Sequence, residues 1–251
     1  MEIALLVDYM HKSHFAPVNR ICQALHAFHV PAHDRTESVP SYHYCSCSAD
    51  QKVFQCLVYD SDKEDAKLIG IEYMIHEELF ETLPEEEKPF WHSHKHEITS
   101  GFLVCTAIKG MGEEVKETGG GGGAATTALS RGTVPDEVEK GIMNILYHMY
   151  GKVIHTWHPP SSRFPMGPPV LMMSTTKEFP GPSEEKIRER DEKYGIDTKA
   201  KAESRKGYLD LDYKIAEGAD AYVETGVVPQ FSFETKTFFQ EDGTRSQSRG
   251  E

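Results

Sequence analysis

The sequence predicts an α+β fold, a single compact domain with a mixed or mainly antiparallel sheet flanked by helices. Three observations predict it. Runs rich in β-branched and aromatic residues recur at strand length, other segments carry apolar residues at helical spacing, and the two kinds do not alternate as a doubly wound parallel sheet requires. With 251 residues, 38% hydrophobic and 27% charged, the chain can bury a sizeable core and reads as globular.

The elements follow in order. Pro17 suits a helix's first turn, and Val18, Ile21, Cys22, Leu25 and Phe28 continue at helical spacing until Pro31, which predicts an amphipathic helix. Phe54 to Tyr59 and Leu68 to Ile75 read as two strands joined by the polar turn at residues 60–65, a hairpin. Pro84 and three glutamates predict a short helix leading to Trp91, because first-turn amides favour carboxylates. Residues 101–108 read as a further strand, and the five glycines at 119–123 as a flexible loop. No Lys-Ser or Lys-Thr follows them, so they are not a phosphate-binding loop. After Pro135, Val138, Ile142, Ile145, Leu146 and Met149 mark a second amphipathic helix ended by Gly151. Val153 to Trp157 and Val170 to Ser174 are strands. Ser183 to Tyr194 alternates acids and bases in a solvated helix that Gly195 terminates, and the last dozen residues read as disordered.

Charge narrows the partners. Forty acidic against 27 basic side chains give a net charge of −13, which repels a phosphate backbone, so nucleic acid is not expected. The apolar stretch from Ile3 to Val7 is broken by Asp8 and lacks a basic flank, so neither a secretory signal nor a transmembrane segment is read there. A cytoplasmic or peripheral protein is expected, with its five cysteines as reduced thiols.

Chemistry concentrates in the 13 histidines. If Trp91 to Glu97 is extended, His92, His94 and His96 share one face, and two such imidazoles can share a metal ion. A cupin-type metal motif fails on spacing, because Glu97 follows His94 by only three residues. His43 beside Cys45 and Cys47 suggests zinc, but no second cysteine pair follows at the spacing a Cys/His site needs.

Longer strings identify a relationship. Leu-His-Ala-Phe-His-Val-Pro-Ala-His-Asp from Leu25, Tyr-His-Tyr-Cys at 42–45, the blocks at 55–61, 68–75 and 79–83, and Trp-His-Ser-His at 91–94 with Glu97 stand in one order. Tyr150-Gly151-Lys152, His155 with Trp157, the block at 167–172 and Arg190 to Gly195 continue it. In this series the chain resembles the oil body-associated protein family, a domain of unknown function, over roughly residues 20 to 197. The resemblance implies residues 1–16 as an N-terminal extension, 17–197 as the domain with a glycine-rich insertion at about 112–133, and 198–251 as a C-terminal extension. It retains His29, His33, His43, His92, His94 and His155 as metal-ligand candidates and Glu72 and Glu97 as catalytic carboxylates. His96 and His158 depart from the family pattern.

Two functional expectations follow. The resemblance implies a soluble protein attached peripherally to the lipid droplet surface, with no activity specified. The imidazole-rich set implies a metal-dependent enzyme, oxidative or hydrolytic, using iron, zinc or copper on a small-molecule substrate.

Overall fold

The computed structural model describes residues 16–106, 133–179 and 181–235. The eight strands among these residues are β1 (Gln23–Pro31), β2 (Val39–Cys47), β3 (Val53–Tyr59), β4 (Leu68–His76), β5 (His92–Ser93), β6 (Val104–Thr106), β7 (Met149–His155) and β8 (Val170–Met173). The α-helices among these residues are α1 (Glu77–Phe80), α2 (Lys95–Thr99), α3 (Asp136–Leu146), α4 (Glu184–Tyr194), α5 (Thr198–Arg205) and α6 (Ala221–Thr225).

The fold is α+β, and its sheet closes on itself. Strands pair antiparallel in the order β2-β3-β4-β7-β8-β1, and β1 also pairs β2, which completes a six-stranded barrel. β6 extends the wall beside the first half of β1, and β5 pairs β7 beside β8. Side chains alternate along each strand, so Ser41, His43 and Cys45 of β2 point inward and are buried, while Tyr42, Tyr44 and Ser46 are only partly covered. One portion of the interior is apolar: Leu25, Phe54, Met74 and Met149 meet Ile98 of α2 and Met143 and Leu146 of α3. The other portion is lined with imidazoles and carboxylates.

The expected hairpin is β3–β4, and the expected strands at 153–157 and 170–174 are β7 and β8. Only Val104–Thr106 of the strand expected at 101–108 is a strand within the described residues. The helix expected from Pro17 to Pro31 is instead a 3-10 turn at Val18–Arg20 followed by β1. The apolar spacing misleads because β1 is buried on both faces. Leu25, Ala27 and His29 face the barrel, while His26 and Phe28 lie outside beneath Tyr194 and Phe102. With nothing facing water, strand alternation vanishes from the pattern.

The short helix expected near Pro84 reduces to the 3-10 turn Lys88–Phe90, with α1 preceding it. α3 stops at Leu146, so Met149 and Gly151 belong to β7. α4 has the predicted ends: the Ser183 hydroxyl accepts from Lys186 N–H, and Gly195 is left-handed at φ 61°.

The cysteines differ from expectation. Register places Cys45 opposite Cys56 across β2 and β3, and the two form a disulfide. Cys22, Cys47 and Cys105 are free. The glycine run at 119–123 and the last dozen residues lie outside the described residues.

Candidate metal centre

Each strand of the polar portion contributes one inward side chain. β1 supplies His29, β2 His43, β4 Glu72 and β7 His155, all at 6% exposure or less. The turn from β5 into α2 adds His92, His94 and Glu97, likewise buried. His33, on the loop after β1, is exposed and stands apart from this cluster.

Contacts link the seven groups continuously. His155 Nε2 lies 2.9 Å from His29 Nδ1, and His29 Nε2 lies 3.0 Å from His43 Nε2. His43 Nε2 is 3.0 Å from Glu72 Oε2, while His92 Nε2 and His94 Nε2 are each 3.5 Å from Glu72 Oε1. Glu97 Oε1 is 3.8 Å from His94 Nε2, and its other oxygen accepts from the Ser174 hydroxyl at 2.9 Å. Two triads have ligand atoms within 4.8 Å of one another: His29, His43 and Glu72, and Glu72, His92 and His94.

Protonation follows from burial and charge. Burial opposes ionisation of Glu72, but contacts with His43, His92 and His94 outweigh it and hold the carboxyl well below the usual range. Burial likewise opposes a charge on His94, yet Glu72 and Glu97 raise its pKa to about 9. His155 is pushed down to about 3 by burial and by His43, and His29 well below its ordinary value by burial, His43 and His155. Burial pushes Glu97 up against the pull of His94 and His92. The cluster thus holds two imidazoles, His29 and His155, kept uncharged, a Glu72 kept ionised and a Glu97 pushed up by burial.

Glycines make room for this set. A Cβ on Gly151 would stand 2.4 Å from Glu72 Oε1 and 2.7 Å from His92 Nε2, and one on Gly70 would stand 2.8 Å from His155 Cδ2. Asp220 anchors the turn between two of the imidazoles: its carboxylate accepts from Ser93 N–H at 3.1 Å and Ser93 Oγ–H at 2.6 Å. The residue is left-handed at φ 51°, a conformation non-glycine residues rarely adopt. A cavity of about 440 Å³ opens beside the cluster, with His155 in its wall together with His33, Glu37, Trp157, His158 and Phe231.

Comparison with known proteins places the chain. Residues 15–209 match the family described as protein of unknown function (DUF1264). Oil body-associated protein 1B of Arabidopsis thaliana is 36% identical over 195 residues, covering 76% of this chain and 68% of that one. The chain belongs to the oil body-associated protein family. Oil body-associated protein 2A of Zea mays is 33% identical over 184 residues, 72% of this chain and 62% of that protein. Oil body-associated protein 1A of Zea mays is 33% identical over 165 residues, 65% and 58%. The matched region thus spans 58% to 68% of these relatives. No solved structure matches the chain.

The family-model match over residues 15–209 covers every member of the cluster and stops short of Asp220. Of the residues expected from the sequence, the structure brings His29, His43, His92, His94, His155, Glu72 and Glu97 together and leaves His33 apart. Gly70, Gly151, Ser174 and Asp220, which border the cluster, are not singled out by the sequence. Gly70 and Gly151 sit inside the blocks that carry the family resemblance, where a glycine amid strand residues signals a close approach. Ser174 and Asp220 carried no local signal, since their roles depend on partners 77 and 127 positions away. His96 leaves the shared face because the chain turns into α2 after His94.

Proposed function

We propose that this chain is a metal-dependent enzyme holding a transition metal inside the barrel and acting on a small molecule that enters through the cavity beside His155. The observation carrying this reading is the convergence of five buried imidazoles and two carboxylates on separations of 2.9 to 3.8 Å. Imidazole and carboxylate donors suit iron, zinc or copper, and a metal so held supplies Lewis acidity and an activated water or oxygen. Glu97, pushed up by burial and held by the Ser174 hydroxyl, is a second carboxylate that can take up a proton within the cluster. His155 stands between the cavity and His29.

The test is metal analysis of protein purified without a histidine tag. About one or more equivalents of one transition metal per chain is expected; repeated preparations with only traces, and no uptake on reconstitution, overturn the reading.

The relatives' names supply a location. We read the chain as a peripheral protein of the lipid droplet surface, in keeping with no described helix being long and apolar enough to cross a membrane. A fluorescent fusion in lipid-loaded cells should ring the droplets, and a diffuse signal overturns that assignment.

A further inference from the structure

We infer that the centre is built for two metal ions bridged by Glu72. The inference rests on the metal-binding reading above and goes beyond it in stoichiometry and division of labour.

The two oxygens of Glu72 face different imidazole pairs. Oε2 lies against His43, which lies against His29, with both separations 3.0 Å. Oε1 lies 3.5 Å from His92 Nε2 and 3.5 Å from His94 Nε2. Metal–ligand bonds of roughly 2.1 Å set neighbouring ligand atoms about 3.0 Å apart in octahedral geometry and about 3.4 Å apart in tetrahedral geometry. The 3.0 Å steps from His29 to His43 and from His43 to Glu72 Oε2, and the 3.5 Å steps from His92 and His94 to Glu72 Oε1, fall at or near that spacing, and each triad lies within 4.8 Å throughout. One ion bonded to all four imidazoles would have to draw them from opposite oxygens, whereas a carboxylate bridging two ions roughly 3.5–4 Å apart uses the arrangement as it stands.

Hydrogen bonding alone does not account for the geometry. Glu72 Oε1 is buried and has no hydrogen-bond partner, because its two imidazole neighbours stand at the limit of hydrogen-bonding distance. The single Nε2 of His43 faces both Glu72 Oε2 and His29 Nε2, although it carries at most one proton. The far ring nitrogens of two candidate ligands are already engaged. His94 Nδ1 contacts the Met149 carbonyl at 2.8 Å and His29 Nδ1 contacts His155 Nε2 at 2.9 Å, so each ring turns its Nε2 toward Glu72 or His43. Such an outer contact on the far nitrogen is how proteins orient metal-bound imidazoles.

The two positions differ. The His29–His43 position reaches the cavity through His155 and is the one a substrate would meet. The His92–His94 position has Glu97 as a second carboxylate, 3.8 Å from His94, and lies against the β5–α2 turn that Asp220 holds. That position is assigned to steadying the bridge and its charge.

The experiment titrates the metal-free full chain with cobalt(II), following the visible absorption and the electron paramagnetic resonance of the ion and counting bound metal after gel filtration. About two equivalents per chain are expected, with the signal of the fully loaded protein weakened by coupling across the carboxylate. His43→Gln and His94→Gln should each retain about one equivalent, and that ion should show an uncoupled signal. One equivalent in the unaltered chain, lost in both variants alike, overturns the paired centre and leaves the single-metal reading standing. No bound cobalt overturns the metal reading itself and this inference with it. The unaltered chain's stoichiometry and spin coupling decide the question even where a variant fails to fold.

Discussion

Gly151 shows how little side chain the centre tolerates. Its absent Cβ is occupied by Glu72 and His92, so Gly151→Ala must push a buried carboxylate or imidazole aside. We expect a loss of about 1–3 kcal/mol of stability, typical of overpacking, together with a drop in bound metal. Melting temperature and metal content measured on one sample check both, and unchanged metal content would separate Gly151 from the centre. His26 makes the residue-scale prediction for pH. Burial first, then the Arg190, His43 and Lys193 charges, lower its pKa well below 6.5, and it packs among Phe28, Tyr42 and Tyr194. Below pH 6.5 the unfolded chain therefore binds a proton that the folded chain refuses, so this group's contribution is intact above that pH and declines below it. His26→Phe should flatten part of the loss in urea midpoint between pH 7.5 and pH 5; an unchanged slope would exclude His26 as a contributor. Both effects trace to neighbours distant in sequence, so neither shows in the local pattern around Gly151 or His26.

Element by element, the sequence was most readable where one face meets water. The β3–β4 hairpin alternates between Phe54, Cys56 and Val58 inside and Gln55 and Leu57 outside, and its pattern could be read directly. β1 could not be read in that way, since helices and loops cover its outer face and erase the alternation. α4 gives the complementary lesson. Its charges read as a solvated face, yet Arg190 is only 3% exposed and clasps three segments. Its guanidinium donates to Phe102 O at 2.8 Å, to Gly101 O at 3.3 Å, to Thr198 Oγ1 at 2.6 Å and to Asp191 Oδ1 at 2.7 Å. Arg190→Met strands those acceptors and should cost about 2–4 kcal/mol. Arg188, on the solvent side of the same helix with exposed partners, should change stability by less than about 0.5 kcal/mol when replaced by alanine. Equal costs for the two arginines, by denaturant titration, would refute the clasp.

For the molecule as a whole, the open question is whether the region after 197 drapes over the barrel or completes it. The contacts favour completion. Arg205, at 1% exposure, donates to Ile98 O at 2.7 Å and lies 3.4 Å from Glu139, and Leu209 joins the apolar core. Tyr213 meets the Tyr150 hydroxyl at 2.7 Å, Asp220 holds Ser93, and the Tyr222 hydroxyl donates to Ser174 O at 3.2 Å, directly behind the residue that anchors Glu97. This region therefore supplies core packing at one place and support for the histidine–carboxylate cluster at another. A chain ending at Ile196 loses all of these together and strands the buried Arg190, whose Thr198 partner is gone. Enough apolar strand remains for collapse but not for fixed packing, so we expect near-native far-ultraviolet dichroism, a lost near-ultraviolet signal and binding of a hydrophobic dye. Metal capacity should fall with the tertiary signal, because Ser93 and Ser174 are no longer held in register with the barrel. A shortened chain that melts as sharply as the full one and binds the same metal would show that the barrel up to Ile196 stands alone.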